Sequence, residues 1–83
     1  MKLKNIGPKT EIWLRELGIL SREDLEKWGS VAVYVALKRA GRKVSLVLVY
    51  ALEGALLEMH WNQLPLELKE DLKQRCQEAL LKP

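Results

Sequence analysis

The run Val44-Ser45-Leu46-Val47-Leu48-Val49-Tyr50-Ala51-Leu52-Glu53-Gly54-Ala55-Leu56-Leu57 is apolar on nearly every side of a helix. It lacks the alternation that marks a half-buried strand, and a helix without a polar face has to be covered by other elements on most sides. At 14 residues, with Ser45 and Glu53 inside it, it is too short for a membrane span, which needs about 20 apolar residues. It predicts the buried central helix of an all-helical domain, capped by Ser45 and running from Leu46 to about His60.

Glycines and capping residues divide the flanks into four further helices. Pro8 suits the first turn of a helix that carries Trp13, Leu14 and Leu17 inward and stops at Gly18, with Ile19 folding back onto it. Ser21 followed by Asp24 is a capping-box pattern and predicts a short helix from Arg22 to Trp28, with Leu25 and Trp28 on its buried face and Gly29 at its end. Ser30 is the expected cap of a helix over Val31 to Ala40, with Val33, Leu37 and Ala40 in one stripe and Tyr34 beside it. Leu64-Pro65 opens the last helix, where Leu68, Leu72, Cys76 and Leu80 recur every four residues and Glu67, Asp71, Arg75 and Glu78 take the outer face. Asp71 with Arg75 and Glu78 with Lys82 form favourable pairs one turn apart. The fold class expected is therefore all-α, a compact bundle of about five helices, and residues 1–83 read as one domain.

Composition agrees with this and excludes several classes. Hydrophobic residues make up 48% and charged residues 30% of the 83-residue chain, too apolar for disorder and too interrupted by charge for a membrane protein. Cys76 is the single cysteine, which rules out an internal disulfide, and with no apolar export segment after Met1-Lys2-Leu3-Lys4 the expected setting is the cytoplasm. The net charge of +3 is unevenly spread. Residues 1–45 hold ten Lys/Arg against five Asp/Glu, a balance of +5, and residues 46–83 hold four against six, a balance of −2. Such a basic half can support phosphate binding through counterion release.

The segment with a mechanism is Asn5-Ile6-Gly7-Pro8-Lys9-Thr10, a tight turn feeding directly into a helix. Backbone N–H groups at a helix start have no partner within the helix and lie at the positive end of its dipole, which suits a phosphate oxygen; Lys9 adds a full charge. The segment resembles the second half of a helix-hairpin-helix motif, whose Ile/Val-Gly-Pro-Lys-Thr turn grips the DNA backbone without reading sequence. By that resemblance Asn5, Ile6, Gly7, Lys9 and Thr10 are the candidate nucleic-acid contacts, with Lys2, Lys4 and the cluster Lys38 to Lys43 enlarging the footprint. Asn5 stands where that motif often has glycine, and Asn tolerates the left-handed conformation such a turn requires. The plain alternative is a helix start beside a solvated lysine.

Leu3 to Gly18, Val44-Ser45-Leu46 with Tyr50 to Ala55, and His60-Trp61-Asn62-Gln63-Leu64-Pro65 together resemble the C-terminal domain of the TfoX/Sxy competence-regulator family. The resemblance implies a five-helix, helix-hairpin-helix-like bacterial domain associated with regulating DNA uptake and transformation, usually behind a separate N-terminal domain. Because Met1 lies immediately before the family motif, the expectation is either a short homologue or a chain cut from a longer one.

Catalytic chemistry has little support. Glu53 requires a partner on so apolar a helix; His60, two turns on, and the N–H groups of a neighbouring helix start are the options, and a carboxylate fixing a helix junction outweighs a proton-transfer pair. Gly54, unfavourable within a helix, implies a close neighbouring helix. His60 lacks companions for a metal site, and Trp13, Trp28 and Trp61 read as core residues rather than base-stacking platforms. Asn62 or Gln63 is expected to satisfy backbone groups in the turn before the last helix. The expected function is a non-catalytic regulatory module without cofactor, binding the DNA phosphate backbone. The alternative is a docking or dimerisation domain that meets a transcription-regulatory protein or its own copy. Neither a membrane nor a small-molecule substrate is expected.

Overall fold

A computed structural model describes residues 5–81. Its helices are α1 (Pro8–Glu16), α2 (Arg22–Trp28), α3 (Ser30–Arg39), α4 (Leu46–Leu57) and α5 (Leu66–Leu81), with one 3-10 turn, Trp61–Gln63, between the last two. The all-helical class holds throughout these residues.

The α1 helix starts with Pro8 at its first position, where no N–H is needed, and Gly7 as its N-cap. It ends as the glycine predicted. Gly18 adopts φ 81°, its N–H reaches the Arg15 carbonyl at 2.9 Å, and the Ile19 N–H reaches the Leu14 carbonyl at 2.9 Å. That pair of bonds folds the chain back, so Ile19 and Leu14 are both fully buried in one cluster. In α2 the Ser21 hydroxyl accepts from the Asp24 N–H at 3.1 Å, as the capping pattern predicted. The Asp24 carboxylate accepts one residue further back than in a capping box, from the Leu20 N–H at 3.0 Å.

Two buried clusters share α4. In the first, Leu52 joins Leu14, Ile19, Leu25, Val33 and Leu37, so that the first four helices contribute to one buried cluster. In the second, Val49 meets Tyr34, Leu72 and Cys76, joining α3 and α5. On α5 the expected stripe is the observed one, with Leu72 and Cys76 buried and Leu68 and Leu80 half-buried against them. Burial pushes the Cys76 thiol above its ordinary pKa, with the Arg75 charge pulling it partly back, and the residue serves as a small apolar filler.

Several expectations need correction. Trp28 is not on the buried face of α2: it is 39% exposed and belongs to neither cluster. Ala40 lies at the exposed C-cap of α3 rather than in its stripe. Ser30 is the first residue of α3 instead of its cap, and its hydroxyl serves a different purpose, described below. Ser45 is the N-cap residue of α4 but makes no side-chain capping bond. The α4 helix stops at Leu57, short of His60, because Glu58 takes a left-handed conformation, φ 58°, that lets the Met59 N–H bond the Gly54 carbonyl at 2.9 Å. The α5 helix begins at Leu66, since Leu64 is buried as the anchor of the preceding turn. The Asp71–Arg75 pair forms, at 2.9 Å, whereas Lys82 lies outside the described residues.

The carbonyl end of α4 is met by a cation from α2. Arg22 donates through its guanidinium to the Leu56 carbonyl at 2.5 Å, where positive charge complements the helix dipole. Its Nε is buried without a hydrogen-bond partner, so the contact carries a desolvation cost as well as a gain. Arg22→Met keeps the alkyl stem and removes the charge. It is expected to lower stability by about 1 kcal/mol in urea unfolding, with the loss appearing as faster amide exchange at the end of α4.

Candidate nucleic-acid interface

The residues singled out at the N-terminus divide into a structural half and an exposed half. Asn5 adopts φ 69°, the left-handed geometry expected of it. Its carboxamide Nδ2 donates to the Met59 carbonyl at 3.0 Å and lies 3.5 Å from the Ala51 carbonyl, bonding the first turn to α4 and the segment after it. Ile6 is half-buried and packs on the first cluster. The side chains of Asn5 and Ile6 are thus committed inward, and their role is to hold the turn.

Gly7, Pro8 and Lys9 are exposed, and Thr10 is half-buried. No side chain caps the start of α1 among the described residues, and a Cβ on Gly7 would meet nothing within 4 Å, so the backbone here is open to an approaching group. Lys9 Nζ lies 5.1 Å from the centre of the Trp13 ring, a cation–π contact that keeps the ammonium beside the turn. Trp13 itself is half-buried and packs on the first cluster, as a core residue would.

A second helix start faces the same hollow. Asn5, Thr10 and Trp13 line it from one side, and Lys43, Val44 and Ser45 from the other, around a cavity of about 250 Å³. The first turn of α1 reaches this concavity through Thr10 and the start of α4 through Ser45, with Lys43 beside it. The nearest carboxylate in sequence, Glu11, lines a separate hollow with Arg15, Ile19 and Leu20. Of the wider basic cluster, Lys38 Nζ sits 5.9 Å from the Tyr34 ring, Arg39 donates to the Ala79 carbonyl at 3.2 Å and Arg42 pairs with Glu16 at 2.5 Å. Lys43 is the member that borders the hollow. Lys2 and Lys4 lie outside the described residues.

The polar residues that invited a catalytic reading have structural partners. Glu53 accepts from the Ser30 hydroxyl at 2.9 Å, which ties the start of α3 to the middle of α4. The helix start foreseen as an option does supply the partner, through a side chain rather than a backbone N–H. His60 instead turns to its own loop: its Nδ1 lies 2.7 Å from Asn62 Oδ1 and 3.3 Å from the Asn62 N–H, so Asn62 engages the ring. Trp61 is half-buried, with Lys69 Nζ 5.4 Å from its ring and 5.9 Å from that of Tyr50. Sequence reasoning missed this aromatic pair around a lysine, because residues 50, 61 and 69 are brought together only by the reversal between α4 and α5. Among the described residues no group of three His, Cys, Asp or Glu is placed to hold a metal, and no helix is long and apolar enough to cross a membrane.

The segments at 5–18, 44–55 and 60–65 thus meet in one unit, built on Asn5, Gly54 and the Trp61 turn. Residues 1–76 match the sequence profile of the TfoX C-terminal domain. The chain belongs to the TfoX C-terminal domain family. An uncharacterized protein from Listeria monocytogenes, crystallised in a triclinic form, is similar in structure, with a TM-score of 0.85 and 31% identity over 94% of this chain and 89% of that one. A Listeria monocytogenes protein of unknown function in a tetragonal form gives a TM-score of 0.84 and 31% identity, covering 93% and 95% of the two chains. No curated protein matches the sequence. The fold of this chain is thus shared with these Listeria monocytogenes proteins.

Proposed function

We propose that this chain is a non-catalytic regulatory module of the competence type that holds a phosphate of the DNA backbone at the start of α1. Membership of the TfoX C-terminal family supports the regulatory class. The observation that carries the phosphate reading is the uncapped, exposed start of α1, bordered by Lys9, with Thr10 of its first turn lining a hollow beside Lys43 and the start of α4. In this reading the N–H groups of Lys9 and Thr10 donate to a phosphate oxygen, the Lys9 ammonium neutralises its charge, and Lys43 serves a neighbouring phosphate. Asn5 and Ile6 act through the backbone they position. Such contacts grip a duplex without reading bases.

Anisotropy titration of a duplex between about 50 and about 200 mM salt tests this. Binding is expected to weaken linearly in log salt, and Lys9→Glu to lower affinity about tenfold, while Lys73→Glu, the same charge change on the exposed face of α5, has a much smaller effect. Absence of binding at low salt, or equal losses from the two variants, would remove the phosphate reading.

A further inference from the structure

A cavity of about 650 Å³ lies along the outer side of α3, away from the α1 turn. Val31, Val35, Ala32 and Ala36 line it, with Ala79 of α5 opposite. Its ends differ in chemistry. At the start of α3 stand the half-exposed Trp28 and the Glu53 carboxylate, fixed by Ser30. Toward the other end stands Arg39, roughly 14 Å along the helix, laid on α5 through the Ala79 carbonyl, with Arg75 one turn before Ala79 on the same wall.

We infer that this groove is the contact surface of a two-fold dimer, in which Trp28 and Glu53 of one copy meet Arg39 and Arg75 of the second. A two-fold axis across the middle of α3 makes every contact occur twice, so a surface bearing an acid and an indole at one end and guanidinium groups at the other is complementary to itself. Trp28 then finds the covering it lacks within one chain, stacked on the planar cation of an arginine, as interface tryptophans commonly do. Glu53 keeps its bond from Ser30 and gains a cation. Arg39 and Arg75 need not leave their present partners, since a guanidinium carries five donors and two flat faces. Ala32 and Ala36, one turn apart, let the two α3 helices approach closely. A helix from a different protein or a small amphipathic ligand would leave the chain monomeric by itself.

Sedimentation equilibrium between about 10 µM and about 1 mM decides it. The expected result is a concentration-dependent dimer whose dissociation constant rises at least tenfold in Trp28→Ala and in Ala32→Glu. Both residues are exposed in the single chain, so thermal melting of the dilute monomers should be nearly unchanged. Glu53→Gln, which keeps an acceptor for Ser30, should weaken the dimer less and make it less sensitive to salt. A monomer at every concentration, or a dimer indifferent to both Trp28→Ala and Ala32→Glu, overturns the inference. Because the groove uses none of Gly7, Lys9 and Thr10, neither outcome bears on the phosphate reading.

Discussion

Leu52→Ala is expected to remove about 3 kcal/mol of stability, the largest loss of any single truncation considered. Leu52 is fully buried in a cluster that draws on α1, α2, α3 and α4, its members running from Leu14 to Leu52. Truncation removes the transfer free energy of the lost carbons and leaves a cavity that four mutually braced helices cannot close. A domain of this length has a stability of only about 4 to 12 kcal/mol, so the variant should melt roughly 15 °C lower and keep only a small margin of stability at the low end of that range. Leu66→Ala makes the control: the same atoms are removed from a side chain 69% exposed, and the change should stay within about 0.5 kcal/mol. Equal melting temperatures for the two variants would show that the first cluster is not the seat of stability.

Gly54→Ala is expected to cost about 2 kcal/mol, although helix propensity alone would make it favourable by about 1. A Cβ at position 54 would lie 2.7 Å from the Met59 carbonyl oxygen, 2.7 Å from Asn5 Nδ2 and 3.3 Å from the Trp61 Cα. The Asn5 side chain can swing away, at the loss of its bonds, but the Met59 carbonyl belongs to backbone already pinned by the Met59 N–H to the Gly54 carbonyl. Relief therefore requires the turn before α5 to move. Asn5→Gly, which keeps the left-handed backbone and removes the carboxamide, should cost about 1 kcal/mol by itself. In a double-mutant cycle the cost of Gly54→Ala should shrink in the Asn5→Gly background without vanishing, because the backbone clash persists. A neutral or stabilising Gly54→Ala would contradict this packing.

Where the sequence was legible, local chemistry decided the outcome. Pro8, Gly18, Ser21 and the four-residue spacing of Leu68 to Leu80 each act within a turn or two of themselves, and the elements they predict are present with close boundaries. The misplaced features depend on how the chain turns between elements. Nothing local marks Glu58 as a left-handed stop; that conformation is imposed by the turn that brings Met59 against Gly54. The neighbour that Gly54 requires is a side chain and a turn, not the helix its composition suggested. Trp28 has the spacing of a core residue, but α3 leaves the α2 end at Gly29 along a direction that exposes it. At the candidate interface, the exposed glycine and lysine could be foreseen from the motif, whereas the hollow that Thr10 shares with Lys43 and Ser45 could not, because it is lined by residues more than 30 positions apart in sequence.

The Asn5 carboxamide occupies the volume that any side chain at position 54 would claim. Divergence at the two sites should accordingly be correlated: a relative that acquires alanine or serine at the second should have surrendered asparagine at the first, and the order of the exchanges is constrained, the amide being discarded before the methyl arrives.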